Sequence, residues 1–354
     1  MKILKFKLTL VLALALGINS FATEIKPKHE ETKKVSKTYE VNKNAQVTLK
    51  NKFGDMDIST WDKNTVEINV EIKVSGSNSK KVKEAIDRIE IELAGSSSVV
   101  SAITRFNNSS RNWNNNLNFE VNYMVKMPKS NDLTATNDYG SLIINELDGM
   151  ADLECDYGKV IIGSLNHEGS RLNMDYTNNS SIEYMKSGSI DADYSDLSVD
   201  RAENIELNAD YTNLEFGQIK TLNFNVDYGK ISIDKAGRIV GDSDYTNIRI
   251  DYLVSGLELN CDYGGIKVDQ VDQKFEWIKV KTKYTGVKLG MSEKSKYTFD
   301  LNLRYGSFDY NNEDLFDFKQ KIKDNTKRQY VGSFNGGGTA KVLIETSYGD
   351  IDFY

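Results

Sequence analysis

Two prolines, two cysteines and two histidines in 354 residues each remove a class of explanation. His29 and His167 are too few and too far apart to assemble a catalytic triad or a histidine metal cluster. Two cysteines are a weak disulfide signal for an exported chain. No glycine-rich phosphate loop is present. No apolar stretch reaches the length of a membrane-spanning helix, so the chain is not expected to span a membrane. Acids outnumber bases, with a formal net charge of −7, which argues against nucleic acid and anionic membrane surfaces as partners. What is abundant instead is Asn, Asp, Tyr and Thr, a composition of strands and turns.

Residues 1–22 read as a secretory signal. Lys2, Lys5 and Lys7 precede the apolar stretch Leu8 to Leu16, and Ser20-Phe21-Ala22 supplies a cleavage pattern. The mature chain is therefore expected outside the cytoplasm, in the periplasm, at the cell surface or in the medium. Residues 23–38 are charged and poor in apolar side chains, which predicts a flexible tether.

From residue 129 onward a repeat dominates. Tyr139, Tyr157, Tyr176, Tyr194, Tyr211, Tyr228, Tyr245 and Tyr263 recur every 17 to 19 residues, followed by Tyr284, Tyr305 and Tyr348. Aspartate precedes each of the first eight: Asp138, Asp156, Asp175, Asp193, Asp210, Asp227, Asp244 and Asp262. Apolar residues stand three and five positions after the tyrosine, as Leu197 and Val199 do after Tyr194, and four before it, as Ile190 does. The repeat of Tyr176 departs; a one-residue shift there restores Ile182 and Met185, which predicts a bulge. After each tyrosine comes Gly, or Thr or Ser followed by Asn, Asp or Gly. A corner is expected there, with one of these following residues taking positive φ.

Coils of ~18 residues stacked at the ~4.8 Å strand spacing account for such columns. The predicted fold is all-β: a single-stranded parallel β-solenoid, β-helix-like, over residues 129–354, with an insert at 311–340. A membrane β-barrel would need ~10 alternating residues per strand, longer than the stretches of about five and three visible here. Residues 39–128 are expected to form an N-terminal β-rich module capping the first coil. In it Val66 to Val74 and Phe119 to Met127 alternate as strands, and Ser79 to Leu93 has helical spacing. The polar stretch from Asn107 to Asn118 reads as a loop. The insert, with Lys319, Lys321, Lys323, Lys327 and Arg328, folds over the C-terminal edge or leaves that edge free for self-association.

Two columns carry candidate chemistry. Asp156, Asp175, Asp193, Asp210, Asp227, Asp244 and Asp262 would stack ~4.8 Å apart, a spacing at which a cation strip such as Ca²⁺ is conceivable. The simpler reading is that each carboxylate accepts a backbone N–H of the turn it precedes. Such a bond, about 1.5–3 kcal/mol, offsets a repulsion of roughly 1 kcal/mol. The tyrosines from Tyr139 to Tyr305 are expected to form a structural ladder facing inward, because the small residues two positions earlier share their side of the strand; the alternative is a solvent-facing aromatic strip suited to sugars or partner strands. Cys155 and Cys261 fall in one column six coils apart, too distant for a disulfide, and should be buried free thiols.

The leader, the opening Phe53-Gly54-Asp55-Met56-Asp57-Ile58 with Trp61, the Met127-Pro128 junction, the serial Tyr-Gly-x-Ile-x-Ile coils and Gly336-Gly337-Gly338 resemble a bacterial family of secreted, adhesin-like β-strand repeat proteins. The resemblance covers nearly the whole mature chain and implies surface adhesion. The expectation is therefore a non-catalytic envelope adhesion or scaffold protein without cofactor, whose partner is a glycan, an envelope polymer or an envelope protein. Two other classes compete: an envelope-stress or signalling accessory of a membrane protein, and a carbohydrate-active β-helix enzyme.

Overall fold

A computed structural model describes residues 29–107 and 117–354. The expected signal peptide, the first part of the expected tether and most of the Asn-rich stretch lie outside the described residues. The chain is all-β, with one α-helix and one short 3₁₀ turn among the described residues. The 26 strands among the described residues form one long, open and mostly parallel sheet.

Successive repeats pair in parallel and in register. Leu197 sits beside Leu214 and Leu214 beside Ile231, and Ala209 beside Val226 and Val226 beside Ser243. The strands run through their corners: Asp196–Asp210 and Asn213–Asp227 are each 15 residues long. Buried positions in the former are Leu197, Val199, Ala202, Ile205, Leu207 and Ala209, so the alternation changes phase twice within one strand. Each change of phase turns the chain while the ladder hydrogen bonds continue. Like side chains therefore meet like side chains from one repeat to the next, and each repeat buries its apolar row only because its neighbours cover it. The bulge near Tyr176 is present, with Asn179 at φ 55° and Ile182 and Met185 beside Ile162 and Leu165.

Both ends of the array depart from chain order. Gln46–Lys52 and Met56–Trp61 form a repeat beside residues 132–147, and the later strands Val99–Phe106 and Leu117–Pro128 pair on its outer side. Antiparallel strands then close this end: Ile89–Gly95, Thr65–Gly76 and finally His29–Glu40. Residues 29–38, expected as tether, are thus most of a strand. Their charges face solvent while the backbone hydrogen-bonds to Thr65–Gly76, so low apolar content did not prevent pairing. The helix is shorter than expected, Ser79–Ile86, capped by the Asn78 side chain on Lys81 N–H at 3.1 Å. Ile89, Ile91 and Leu93 continue as a strand because Val99–Phe106 offers an antiparallel partner.

At the other end the insert does cover the edge. Phe316–Lys323 and Lys327–Phe334 form an antiparallel hairpin laid on Tyr297–Arg304. The edge along Tyr297–Arg304 is therefore occupied. Its outer strand exposes Lys319, Lys321 and Lys323, which oppose pairing with another chain.

Candidate binding surface

All eleven repeat tyrosines, from Tyr139 to Tyr348, adopt left-handed backbone angles, with φ between 50° and 59°. The positive-φ residue of the corner is the tyrosine itself, not the Gly, Asn or Asp after it as expected. Left-handed geometry costs a non-glycine residue about 1–2 kcal/mol. Two terms offset it. Each tyrosine N–H still reaches a backbone carbonyl, that of the next repeat for Tyr194, which meets Asp210 O at 2.9 Å, and that of Thr326 in the insert for Tyr305. Each ring but that of Tyr305, which ends the row, also stacks on both neighbours, and an aromatic pair contributes about 0.5–1.5 kcal/mol.

The same angle turns the ring outward. Strand alternation would place the tyrosine on the side of the residue two positions earlier, and Cys155, Ala192, Ala209, Ser243 and Cys261 are indeed buried. The left-handed residue breaks that parity, so the rings are about half exposed, Tyr211 at 49%, and the inward ladder expected for them is corrected to a surface ladder. From Tyr139 to Tyr284 the rings follow at 4.8–5.0 Å with interplanar angles of 9° or less. Tyr348 and then Tyr305 continue the stack, and Phe53 begins it. Ring faces are covered by neighbouring rings; edges and hydroxyls are what solvent meets.

The residue after each tyrosine points inward. It is Thr177, Ser195, Thr212, Thr246 or Thr285, all buried, or glycine. Thr212 Oγ1 donates within 2.9 Å of both Ala192 O and Asp210 O, and accepts the Ser195 N–H at 3.2 Å. Glycine in this column answers close approach: a Cβ on Gly158 would lie 2.0 Å from Gly140 O.

The aspartates line one flank of the ladder. Asp193 Oδ1 accepts the Asp210 N–H at 3.0 Å and Asp227 Oδ1 that of Asp244 at 2.8 Å, so the carboxylate bonds to the next repeat and not to its own turn. Partial burial, and then the neighbouring carboxylates, raise the carboxyl groups of Asp156, Asp175, Asp210 and Asp244 above the usual aspartate range. Among the described residues, no three of His, Cys, Asp and Glu come together as a metal site would require, the aspartate column included. Two lysines close the column: Lys52 reaches Asp138 at 3.5 Å and Lys283 reaches Asp262 at 3.2 Å.

The whole flank is acidic. At the outward positions one, three and five residues before the tyrosines, the eight aspartates are joined by Asp152, Glu154, Asp191, Glu206, Asp242 and Glu258. Arg171 is the single base among them. Beyond them the sign reverses, with Lys50 and Lys52 at one end and Lys279, Lys281 and Lys283 at the other. The flank after the tyrosines is mixed and paired instead, as Arg249 is with Asp251 and Asp269. A shallow groove of about 320 Å³ lies along the acidic flank between Asp175, Asp191, Asp193 and Asp210.

Other singled-out residues lie apart from this surface. His167 accepts the Gly169 N–H at 3.0 Å in a local turn. Cys155 and Cys261 are buried free thiols; burial pushes them up to about 12 and about 11.

The geometry defines the chain as an all-β repeat protein with a capped, open parallel sheet and an uninterrupted tyrosine edge. No family model matches the chain, and no curated protein matches it. Several solved structures resemble it. One is described as a candidate cell adhesion protein from Clostridium sporogenes: 10% identity, 91% of this chain, 99% of the other, TM-score 0.19. A candidate adhesin from Parabacteroides distasonis matches at 12% identity, 73% and 93% coverage and TM-score 0.34. A candidate lipid-binding protein from the same species matches at 10% identity, 93% and 98% coverage and TM-score 0.35. These alignments span long stretches yet superpose loosely, so the surface has to carry any reading of function.

Proposed function

We propose that this chain is an exported β-solenoid that works without catalysis as an adhesion or scaffold module of the bacterial envelope. It would engage an extended partner along the acidic flank of its tyrosine ladder. The observation that carries the reading is the charge asymmetry of that flank: fourteen acids against Arg171 over eight consecutive repeats, beside a mixed opposite flank. Self-repulsion along such a row destabilises the fold unless something favours it, and a field of one sign over many repeats suits a long partner. The ladder narrows the mode of contact. Because ring faces are stacked against each other, sugars cannot lie flat on them; hydroxyls, carboxylates and Asn208, Asn225 and Asn260 offer hydrogen bonds at every repeat. An envelope glycan or polymer bearing amino groups, or a basic envelope protein, fits this surface.

The test is co-sedimentation of the purified chain with envelope polysaccharides and envelope fractions at low and high salt. Binding is expected, weakening with salt, and falling at least tenfold in an Asp193→Asn, Asp210→Asn, Asp227→Asn variant. Undiminished binding by that variant overturns the surface assignment. No binding to any polymer or fraction overturns the adhesion reading.

A further inference from the structure

The last residues of the chain do not occupy the end of the array. Ala340–Ser347 lies between Trp277–Lys283 on one side and Tyr297–Arg304 on the other, parallel to both. Ile351–Phe353 lies likewise between Gly286–Leu289 and Phe308–Tyr310. The Tyr348 ring stands 4.8 Å from Tyr284 and 4.8 Å from Tyr305, filling the gap between them. Val342, Ile344, Ile351 and Phe353 are buried, and Thr346 Oγ1 meets Thr282 Oγ1 at 2.9 Å.

The chain thus lays down Tyr297–Arg304 two strand spacings, roughly 9.6 Å, from Trp277–Lys283 and later returns to fill the space. Until it does, a slot one strand wide is walled on both sides by unpaired backbone groups, an arrangement that accepts an added strand. The returning segment hangs on Asn335, Gly336 and Gly337, all with positive φ, and a Cβ at Gly336 would touch nothing within 4 Å. Asn335 is anchored by hydrogen bonds to Leu315 O and Glu293 O, so the freedom of this hinge lies at Gly336. Elsewhere the terminal edges carry lysines: Lys33, Lys34 and Lys37 at one end, Lys319, Lys321 and Lys323 at the other. The slot is where a parallel strand is welcomed.

We propose that this slot is a strand-exchange site for a second copy of the chain, residues 340–354 of one copy completing the array of another. Every contact made within one chain is reproduced between two, so hinge reach and concentration set the balance. A short tether holds its own segment at an effective concentration in the mM range, which favours self-insertion in dilute solution. Exchange is favoured when chains refold crowded together, or when the hinge is too short to reach home.

Asp309 and Asp352 are Cα partners across the slot wall, at a neighbour spacing of ~4.8 Å that a disulfide spans. Full-length Asp309→Cys and Asp352→Cys chains, differing in tag, are refolded together over a range of concentrations, oxidised and separated without reductant. A mixed disulfide dimer is expected, its yield rising with concentration, rising further when Gly336–Gly338 are deleted from both chains, and lost when the Asp352→Cys chain also carries Ile344→Pro. Mixed dimers no more abundant than like-with-like dimers, at every concentration and with the hinge intact, overturn the proposal. The intact-hinge series decides alone if the deleted chain does not fold.

Discussion

The Asp193 carboxylate accepts the backbone N–H of Asp210, 3.0 Å away, while the Asp210 carbonyl accepts the N–H of Tyr194 at 2.9 Å. One repeat therefore grips the next through both the side chain and the backbone of this column. The grip holds like charges together, and that has a consequence for pH.

Asp156, Asp175, Asp210 and Asp244 have carboxyl groups raised in the folded chain, by partial burial and by each other. Between the unfolded aspartate value near ~3.9 and the raised folded values, the native state binds more protons than the unfolded chain. Their stabilising effect is full below that window and is lost as pH rises through it. Lowered groups such as Asp269, Asp272 and Asp350 act in the opposite sense, so the comparison needs a matched variant. Replacing the four raised aspartates by asparagine keeps an acceptor oxygen and removes the charge. The variant is expected to melt a few degrees higher than the parent at pH 7, and the difference to shrink as pH falls towards 4. A gap that does not change with pH would show that repulsion in the column is not felt.

Tyr211 stacks on Tyr194 and Tyr228 from a left-handed corner with φ 53°. Tyr211→Ala loses both ring contacts, about 1–3 kcal/mol at 0.5–1.5 per pair, and keeps the backbone strain. Tyr211→Gly loses the same contacts but relieves about 1 kcal/mol of that strain. In denaturant titrations the order should be parent, then glycine, then alanine. Glycine ordinarily weakens a strand more than alanine does, so alanine above glycine would contradict the corner.

Thr212→Val preserves shape inside the corner and removes a hydroxyl that serves Ala192 O, Asp210 O and the Ser195 N–H. Asp210 O keeps the Tyr194 N–H, but the Ser195 N–H loses its acceptor, and leaving such a buried group unpaired costs about 1–3 kcal/mol. Thr212→Ser should recover most of it. Equal midpoints for valine and threonine would remove the hydroxyl from the account of the corner.

Cys155 and Cys261 should resist a thiol reagent at pH 8 in the native chain, since burial pushes them up to about 12 and about 11. Both should react promptly in denaturant, giving two thiols per chain. Rapid reaction of the folded protein would mean that the column opens.

The columns were legible from the sequence because stacking makes register visible: Leu197, Leu214 and Ile231 align by counting from the tyrosine and pair in the structure. The outward turn of the rings was misread, although a signal exists. The residue after the tyrosine shares the parity of the buried positions three and five after it, and it is always Gly, Ser or Thr. The parity break therefore falls at the tyrosine. Residues 29–38 read as tether because their charges hide a pairing that only the opposite strand supplies. Chain order at the ends was not legible at all. Tyr348 has the same local pattern wherever its repeat is placed, and only the three-dimensional partners choose. The acidic flank was visible as single aspartates but not as a face, since Glu206 and Asp242 join it through folding.

From Tyr194 to Tyr245 each step is 17 residues, and the pairing of Asp196–Asp210, Asn213–Asp227 and Lys230–Asp244 holds one register throughout. A cut of one such period rejoins residues of the same kind at the same phase. The chain is in this sense a ruler graduated in whole repeats: removing or duplicating 17 residues changes its reach by about one strand spacing, ~4.8 Å, and leaves both end caps untouched. Length can then vary by unit insertions without redesign of any contact, and the distance between the two ends becomes a quantity that simple duplication can tune.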